Sequence, residues 1–203
     1  MKFLVLGDSH VRHMPSNFST SSYSLITKSI SGLKFKDYDK KNLSLFHLLF
    51  TSEIQLLLSQ VDGVLLLLGT NSIRILRAST IISQIEEIIF FLRQVYPQFN
   101  PRQRIIIPLC FPCLKTTSKF YNKIKLTSNI QLYNNRLYQL SYQMNFNVIN
   151  FRIRAYQLAS DKIHIQHHYY FRIFNFIVNY LNNVSNTLSL ISSIIYEFSD
   201  HTK

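Results

Sequence analysis

The first ten residues, MKFLVLGDSH, constrain the fold of this chain most strongly. The apolar residues from Phe3 to Leu6 are continuous rather than alternating, which is typical of a strand covered on both faces in a parallel sheet. The run ends in Gly7-Asp8-Ser9, where Gly7 is expected to permit a sharp turn. Ligands of open α/β sheets bind beyond the carboxyl ends of the strands, so Ser9 is a candidate functional residue. An ordinary turn can have the same residues, and the other motifs decide between the two interpretations.

Further apolar runs alternate with segments of helical periodicity. Strands are predicted at 23–30, 64–68, 104–109 and 146–151, and helices at 43–58, 79–96, 130–144 and 169–181. Strands that alternate with helices at this spacing favour a parallel sheet with helices on both faces. The chain has 203 residues, and we expect residues 1–183 to form one domain and residues 184–203 a short C-terminal helix or tail.

The composition excludes several classes of protein. A hydrophobic fraction of 47% with 14% aromatic residues indicates a globular chain rather than a disordered one. The N-terminus lacks the apolar core of a signal peptide, and Glu86 and Glu87 interrupt the best apolar stretch well short of about 18 residues. We therefore expect an intracellular protein, cytoplasmic or nuclear, with no transmembrane segment. The sequence sets no expectation for the oligomeric state.

The charge balance is strongly basic. The chain has 22 lysines and arginines against 10 aspartates and glutamates, a net charge of +12. Such a field attracts polyanions without sequence preference. The sequence leaves open whether the charge serves RNA or single-stranded DNA, serves an anionic membrane surface, or is a generic basic surface.

Near the other end of the chain, Asp161 and His164 form an Asp-x-x-His pattern. A serine hydroxyl becomes a good nucleophile only when an imidazole takes its proton, and the imidazole needs a carboxylate to orient it. Residues three apart in the first turn of a helix can present both groups to one crevice. Acyl transfer also requires donors to an oxyanion, and the N–H of Gly32, the amide of Asn71 and the N–H of Ser9 are the candidates.

Taken together, four blocks resemble the SGNH hydrolases, also called the GDSL esterase/lipase family. They are Gly-Asp-Ser after the first strand, Gly32 after the second, Gly69-Thr70-Asn71 after the third, and Asp161-x-x-His164. The blocks have the family's order and span residues 7–164. Three of the four glycines of the chain, Gly7, Gly32 and Gly69, fall on the family's glycine positions.

The resemblance implies a flavodoxin-like three-layer α/β/α sandwich with about five parallel strands. It implies Ser9 as nucleophile, His164 as general base and acid, and Asp161 as the carboxylate that orients His164. The oxyanion hole would comprise the N–H groups of Ser9 and Gly32 and the side chain of Asn71. Asp8 would brace the serine turn, and no cofactor or metal is implied.

Two residues depart from the family pattern. Ser72 stands where a carboxylate usually follows the asparagine, and we expect the loop bracing supplied by that carboxylate to be missing. Lys162 stands where glycine often follows the aspartate.

Two functions from different classes remain open. The first is a serine hydrolase that cleaves a carboxylic ester of a small-molecule or acylated substrate. The sequence Gly-Asp-Ser-His-Val-Arg also resembles the esterase-like domains of some eukaryotic retroelement proteins. The second function is therefore a basic, nucleic-acid-associated module of such a protein that keeps the fold with weak or no catalysis.

Two other motifs admit a metal but favour simpler interpretations. Cys110 and Cys113 have the spacing of a redox or half-zinc motif, yet without a second pair they are predicted to be free thiols in a loop. His167 and His168 are predicted to be surface histidines of a helix. His167 is close to His164 in the sequence but is not expected to act as the base.

Overall fold

A six-stranded sheet forms the centre of the computed structural model, which describes the backbone of residues 1–200 and the side chains of residues 1–187. The strands are β1 Lys2–Gly7, β2 Asn17–Ser19, β3 Ser24–Ser29, β4 Gly63–Leu67, β5 Ile105–Pro108 and β6 Asn147–Ile149.

The spatial order of the strands is β2-β3-β1-β4-β5-β6. Every neighbouring pair is parallel except β2 and β3, which are antiparallel. The five parallel strands, taken in chain order, lie in the flavodoxin-like order 2-1-3-4-5, and this confirms the predicted sheet. The edge strand β2 was not predicted because it has only three residues, of which Phe18 alone is apolar and partly buried, so it shows no strand pattern.

Helices precede or follow each of the later strands. They are α1 Leu45–Leu48, α2 Ser52–Ser59, α3 Thr70–Ile73, α4 Ala78–Val95, α5 Lys123–Gln143 and α6 His167–Asp200. Within the part of the chain that the structure describes, no helix is long and apolar enough to cross a membrane.

The continuous apolar runs of the strands are explained by two cores, one on each face of the sheet. Leu4 and Leu6 of β1 and Val64 and Leu66 of β4 pack into the core shared with α2, α4 and α5. The alternate residues, Phe3, Val5, Leu65 and Leu67, pack into the second core, which includes Ile173 and Ile177 of α6. Each fully buried side chain of this size stabilises the fold by about 1.5–3 kcal/mol. The predicted layering, with helices on both faces, is confirmed.

The predicted helix at 43–58 is wrong as a single element. The chain around Ser44 is extended, and the Leu45 N–H donates to the carbonyl of Lys34, so this segment pairs with the loop after β3. A second extended residue, Thr51, separates α1 from α2. The apolar spacing predicts burial correctly, but it does not reveal these two breaks.

Three helix boundaries also differ from the prediction. Helix α5 begins at Lys123 rather than 130, because the Asn122 side chain accepts from the Lys125 N–H at 2.8 Å and caps the helix. Helix α4 begins at Ala78, one residue before the predicted start at 79, and the Ala78 N–H donates to the Asn129 side chain of α5. Helix α6 runs from His167 to Asp200, so it begins before the predicted helix at 169–181 and extends beyond it.

Candidate active site

The candidate site lies at the carboxyl ends of β1, β3 and β4, beside the point where the strand order reverses. Ser9 begins a short 3₁₀ turn, Ser9–Val11, immediately after β1. Gly7 is needed there for space rather than for a special turn conformation, since its φ is not among the positive ones. A Cβ on Gly7 would lie 2.2 Å from the Leu67 carbonyl oxygen and 2.5 Å from Val11 Cγ2. The close contact between β1 and β4 therefore fixes where Ser9 emerges.

Asp8 is completely buried, and its carboxylate stabilises the turn that carries Ser9. Its Oδ1 accepts from the His10 N–H at 3.0 Å and lies 2.6 Å from His10 Nδ1, while Oδ2 accepts from the Asn71 amide at 3.4 Å. The Ser29 hydroxyl donates to the Asp8 carbonyl at 3.0 Å. Because a buried carboxylate needs such partners, Asp8 ties the ends of β1, β3 and β4 into one unit.

His10 is a part of the site that the sequence analysis did not identify. It is 1% exposed, its ring lies edge-on to Phe111 at 5.1 Å, and its centroid is 5.7 Å from that of His164. Its Nε2 is buried without a hydrogen-bond partner among the described side chains and backbone. The adjacency of Asp8 and His10 in the sequence was the available signal, because a 3₁₀ turn brings residues two apart together.

The three predicted catalytic residues come from opposite ends of the chain and are linked by hydrogen bonds in the order Ser9, His164, Asp161. Ser9 Oγ is 2.9 Å from His164 Nε2. The other ring nitrogen of His164, Nδ1, is hydrogen-bonded to Asp161 Oδ2. The imidazole is partly open to solvent, with 41% of its side chain exposed. The arrangement can move a proton from the hydroxyl to an imidazole that a carboxylate orients.

The Asp-x-x-His segment is a turn and not the first turn of a helix, so that prediction is wrong. Asp161 Oδ1 accepts from the N–H groups of Ile163 and His164 at 2.9 and 3.0 Å, which closes the turn, and α6 begins only at His167. Lys162 has φ +61°, in the left-handed region that favours glycine. This conformation explains why a glycine would suit the position.

The same contacts determine the ionisation of Asp161. Partial desolvation raises its pKa, but the hydrogen bond from His164 and those from the two backbone N–H groups outweigh desolvation and lower the pKa to about 2. The carboxylate is therefore ionised at neutral pH, as a group that stabilises an imidazolium must be.

The three predicted oxyanion donors surround the same corner. The Asn71 amide donates both to Asp8, next to Ser9, and to the carbonyl of Leu33, next to Gly32, each at 3.4 Å. Gly32 has φ +80°, which a side chain would disfavour. Among the described residues, neither the Ser9 N–H nor the Gly32 N–H has a backbone acceptor. Both remain available to an acceptor on a ligand, and the two long bonds of Asn71 leave its amide only weakly held.

Ser72 supplies part of the bracing that a carboxylate was expected to provide. It is fully buried, and its hydroxyl accepts from the Phe35 N–H at 3.2 Å. The carboxylate itself is missing, as the sequence indicates, but the Ser72 hydroxyl is long enough to reach the loop after Gly32. That this hydrogen bond forms could not be read from the sequence, since Phe35 is distant in the chain.

The other histidines of the region do not contact Ser9. His167 packs against His13 and Tyr170, with ring centroids 5.1 and 6.3 Å apart. Desolvation, followed by the nearby His167, Arg12 and His164, lowers the pKa of His13. Burial, with the nearby Asp8 and Asp161, raises the pKa of Tyr170 to about 12. These residues border the cleft without joining the Ser9–His164 line.

Cys110 and Cys113 are both buried and free. Burial is the main cause that raises the pKa of each thiol, so neither is an activated nucleophile. Among the described residues, no three histidine, cysteine, aspartate or glutamate side chains come together as metal ligands would.

The strand order, the serine turn after β1 and the Asp-x-x-His turn before α6 define an α/β protein with the SGNH hydrolase fold, as the four sequence blocks predict. Solved structures agree. The GDSL-like lipase of Bacteroides thetaiotaomicron superposes with a TM-score of 0.61 over 90% of this chain and 88% of that one, at 16% identity.

Two other solved structures show the same fold. The lipase/acylhydrolase of Enterococcus faecalis matches with a TM-score of 0.57 over 92% of this chain and 97% of that one, at 14% identity. A psychrotrophic esterase from Pseudoalteromonas sp., inhibited by monoethylphosphonate, matches with a TM-score of 0.61 over 91% and 98%, at 14% identity. No protein-family model and no curated protein matches the sequence. The likeness to these structures is one of fold.

Proposed function

We propose that the chain is a serine hydrolase of the esterase or deacetylase type, which cleaves a carboxylic ester through an acyl-enzyme. The observation that carries the proposal is the 2.9 Å separation of Ser9 Oγ from His164 Nε2, with Asp161 on the opposite ring nitrogen. This order of groups is what nucleophilic catalysis by serine requires.

In the first half-reaction, Ser9 Oγ attacks the carbonyl carbon of the ester and its proton passes to His164 Nε2. The carbonyl oxygen becomes an oxyanion, to which the Ser9 and Gly32 N–H groups and the Asn71 amide donate. Each such donor contributes about 10²- to 10³-fold in rate. The C–O bond to the alcohol then breaks, and His164 gives its proton to the leaving alcohol.

In the second half-reaction, water replaces the alcohol. His164 takes a proton from the water as its oxygen attacks the acyl carbon, and the same donors hold the second oxyanion. The bond to Ser9 Oγ breaks, and the proton on His164 returns to the serine. The product is a carboxylic acid, and every proton transfer uses a group of the chain itself, so the mechanism calls for no cofactor. Asp161 keeps Nδ1 protonated and stabilises the imidazolium in both halves.

The solved structures of the same fold support this proposal. They are named as a lipase, a lipase/acylhydrolase and an esterase, and the last is inhibited by a phosphonate. We propose a small-molecule ester or an acylated substrate with an accessible carbonyl as the substrate class, because the His164 side chain is 41% exposed and can be reached from solvent.

Hydrolysis of a panel of p-nitrophenyl esters, from acetyl to octanoyl, tests the proposal and gives the preferred acyl length. His164→Ala should lower kcat/KM by about 10⁴-fold or more. His167→Ala is the matched control, because His167 lies in the same segment but contacts His13 and Tyr170 instead of Ser9. A His164→Ala variant as active as His167→Ala would exclude His164 as the base.

A nucleic-acid-associated role, the alternative that the sequence predicts, would use a different surface from the cleft. Hydrolysis does not exclude it. The origin of the chain in a retroelement protein stays a prediction.

A further inference from the structure

The positive charge of the chain is concentrated in one part of the sequence. Residues 1–87 have nine lysines and arginines against seven aspartates and glutamates, whereas residues 88–187 have twelve against Asp161 alone. In the first part, Lys28, Lys34 and Lys36 each form an ion pair with a carboxylate. None of the ion pairs among the described residues uses a lysine or arginine from 88–187. Among the described residues, the cations of this second part therefore have no carboxylate in an ion pair with them.

Two of these cations, together with Arg77 of the first part, border a groove between the start of α4 and the first turns of α5. The groove encloses about 400 Å³. We call it the basic groove. Its cations are Arg77, Lys119 and Lys125, and its apolar surface consists of Phe120, Ile124 and Leu132. None of the described side chains that line it is acidic, so none of them competes with an anionic ligand.

The framework of the basic groove is held by buried hydrogen bonds. Asn129, which is 8% exposed, accepts from the Ala78 N–H and donates to the carbonyls of Ile73 and Leu76, at 2.9–3.0 Å. These bonds fix the junction of α3 and α4 against α5. The backbone at Arg77 and Lys125 is thereby held in place, which lowers the entropic cost of binding an extended ligand.

The loop that carries Lys115 and Lys119 is fastened to the same junction. Arg74 Nε donates to the Lys115 carbonyl at 3.3 Å, and the Thr117 hydroxyl donates to the Arg74 carbonyl at 2.7 Å. Lys115 and Lys119 are both exposed. The positive surface thus extends from the groove towards α3, the helix that carries Asn71 of the candidate active site.

An aromatic side chain stands at the edge of the basic groove. Tyr121 is 65% exposed, and Lys125 Nζ lies 4.3 Å from its ring centroid and donates to its hydroxyl at 2.6 Å. Its neighbour Ile124 is 78% exposed. An exposed ring beside cations that have no carboxylate partner among the described residues is the combination on which single-stranded nucleic acids bind, with bases stacked on the ring and phosphates against the cations.

We propose that the basic groove binds single-stranded nucleic acid. Phosphates lie against Arg77, Lys119 and Lys125, and a base stacks on Tyr121. Unpaired bases are required because a duplex keeps its bases inside the stack. The proposal does not depend on ester hydrolysis, since the groove shares no residue with the Ser9–His164–Asp161 line.

Fluorescence anisotropy with a mixed-sequence RNA of about 16 nucleotides tests the proposal. The variant Arg77→Glu/Lys119→Glu/Lys125→Glu should weaken binding at least about tenfold at about 50 mM salt. It should also lower the slope of log Kd against log salt by about 2, because three phosphate contacts are lost and each contributes about 0.7 to the slope. The matched control, Lys40→Glu/Lys41→Glu/Arg172→Glu, changes the net charge equally at exposed cations elsewhere and should change Kd less than about threefold.

A second pair of variants isolates stacking. Tyr121→Leu should weaken binding by about fivefold or more, whereas Tyr121→Phe, which keeps the ring, should bind as the wild type does. Thermal unfolding, which does not depend on catalysis, verifies that every variant is folded, and hydrolysis of a p-nitrophenyl ester is measured separately.

Four results would each overturn the proposal. The first is that the wild type does not bind RNA at about 50 mM salt, and the second is that the groove and control triple variants lose RNA affinity equally. The third is that duplex RNA binds as tightly as single-stranded RNA. The fourth is that the groove cations are needed for binding to vesicles of anionic phospholipid but not for binding to RNA.

Discussion

Gly7→Ala should displace Ser9 with little change to the rest of the fold. The new Cβ would lie 2.2 Å from the Leu67 carbonyl oxygen, whereas real Cβ atoms essentially never approach closer than 3.0 Å, so the ends of β1 and β4 must separate by at least about 0.8 Å. If β1 moves by this amount along the line between Ser9 Oγ and His164 Nε2, their 2.9 Å separation increases to about 3.7 Å, which is no longer a hydrogen bond. A misplacement of about 1 Å can lower a catalytic rate by about 10²-fold.

The assay for this prediction is kcat/KM for p-nitrophenyl acetate, measured beside thermal unfolding. Gly63→Ala is the matched control, because Gly63 lies opposite Phe3 at the other end of the same strand pair. Its Cβ would meet the Phe3 ring at 2.7 Å, so it should also cost about 1–3 kcal/mol in stability. We expect Gly7→Ala to lose about 100-fold in kcat/KM and Gly63→Ala to lose little per folded molecule.

Wild-type activity in Gly7→Ala would refute the reasoning. Equal losses of activity in the two alanine variants would also refute it, since the effect would then come from general destabilisation rather than from the position of Ser9.

Three further changes test single contacts of the site. Asp161→Asn should lower kcat by about 10³- to 10⁴-fold. Because the pKa of Asp161 is lowered to about 2, the ionised carboxylate stabilises the fold at pH values above its ordinary pKa, and this stabilisation is lost as the pH falls towards 2. The difference in unfolding midpoint between the wild type and Asp161→Asn should therefore decrease between about pH 5 and pH 2. A difference that stays constant over this range would contradict the lowered pKa of Asp161. Ser72→Ala leaves the buried N–H of Phe35 without its acceptor and should lower the free energy of unfolding by about 1–3 kcal/mol in urea titrations, whereas no change would show that this bond is unimportant. Lys162→Gly removes a side chain at φ +61° and should raise the free energy of unfolding by up to about 1 kcal/mol at unchanged kcat/KM; a loss of stability would contradict the strain.

The fold was predictable because its central strands are buried on both faces. Continuous apolar runs such as Phe3–Leu6 and 64–68 require cover on both sides, and only a sheet between helices supplies it. Ser9 and Asn71 each follow such a strand, and Gly32 follows the partly buried strand β3, so their convergence at one edge follows from parallel topology. The approach of His164 to Ser9 was predictable only through the resemblance, because no local rule relates residues from opposite ends of a chain.

The details that the sequence did not reveal depend on contacts between distant segments. Gly7 is required because the backbone at the end of β4 lies too close to allow a side chain there. The helix predicted at 43–58 is interrupted because Ser44 and Leu45 pair with Lys34 in the loop after β3. His10 and Ser72 looked like turn and loop residues, yet each is buried and pairs with a specific polar group. Such pairing is decided in three dimensions, and hydrophobic periodicity does not report it.

The most direct test of the central claim is covalent labelling of the folded protein with a fluorophosphonate, followed by mass spectrometry of its peptides. The reagent modifies a serine only where a base activates the hydroxyl and donors hold the phosphoryl oxygen. We predict one adduct on Ser9 in the wild type and none on Ser9 in His164→Ala. A folded wild-type protein without an adduct on Ser9, or an adduct formed equally in His164→Ala, would contradict the account.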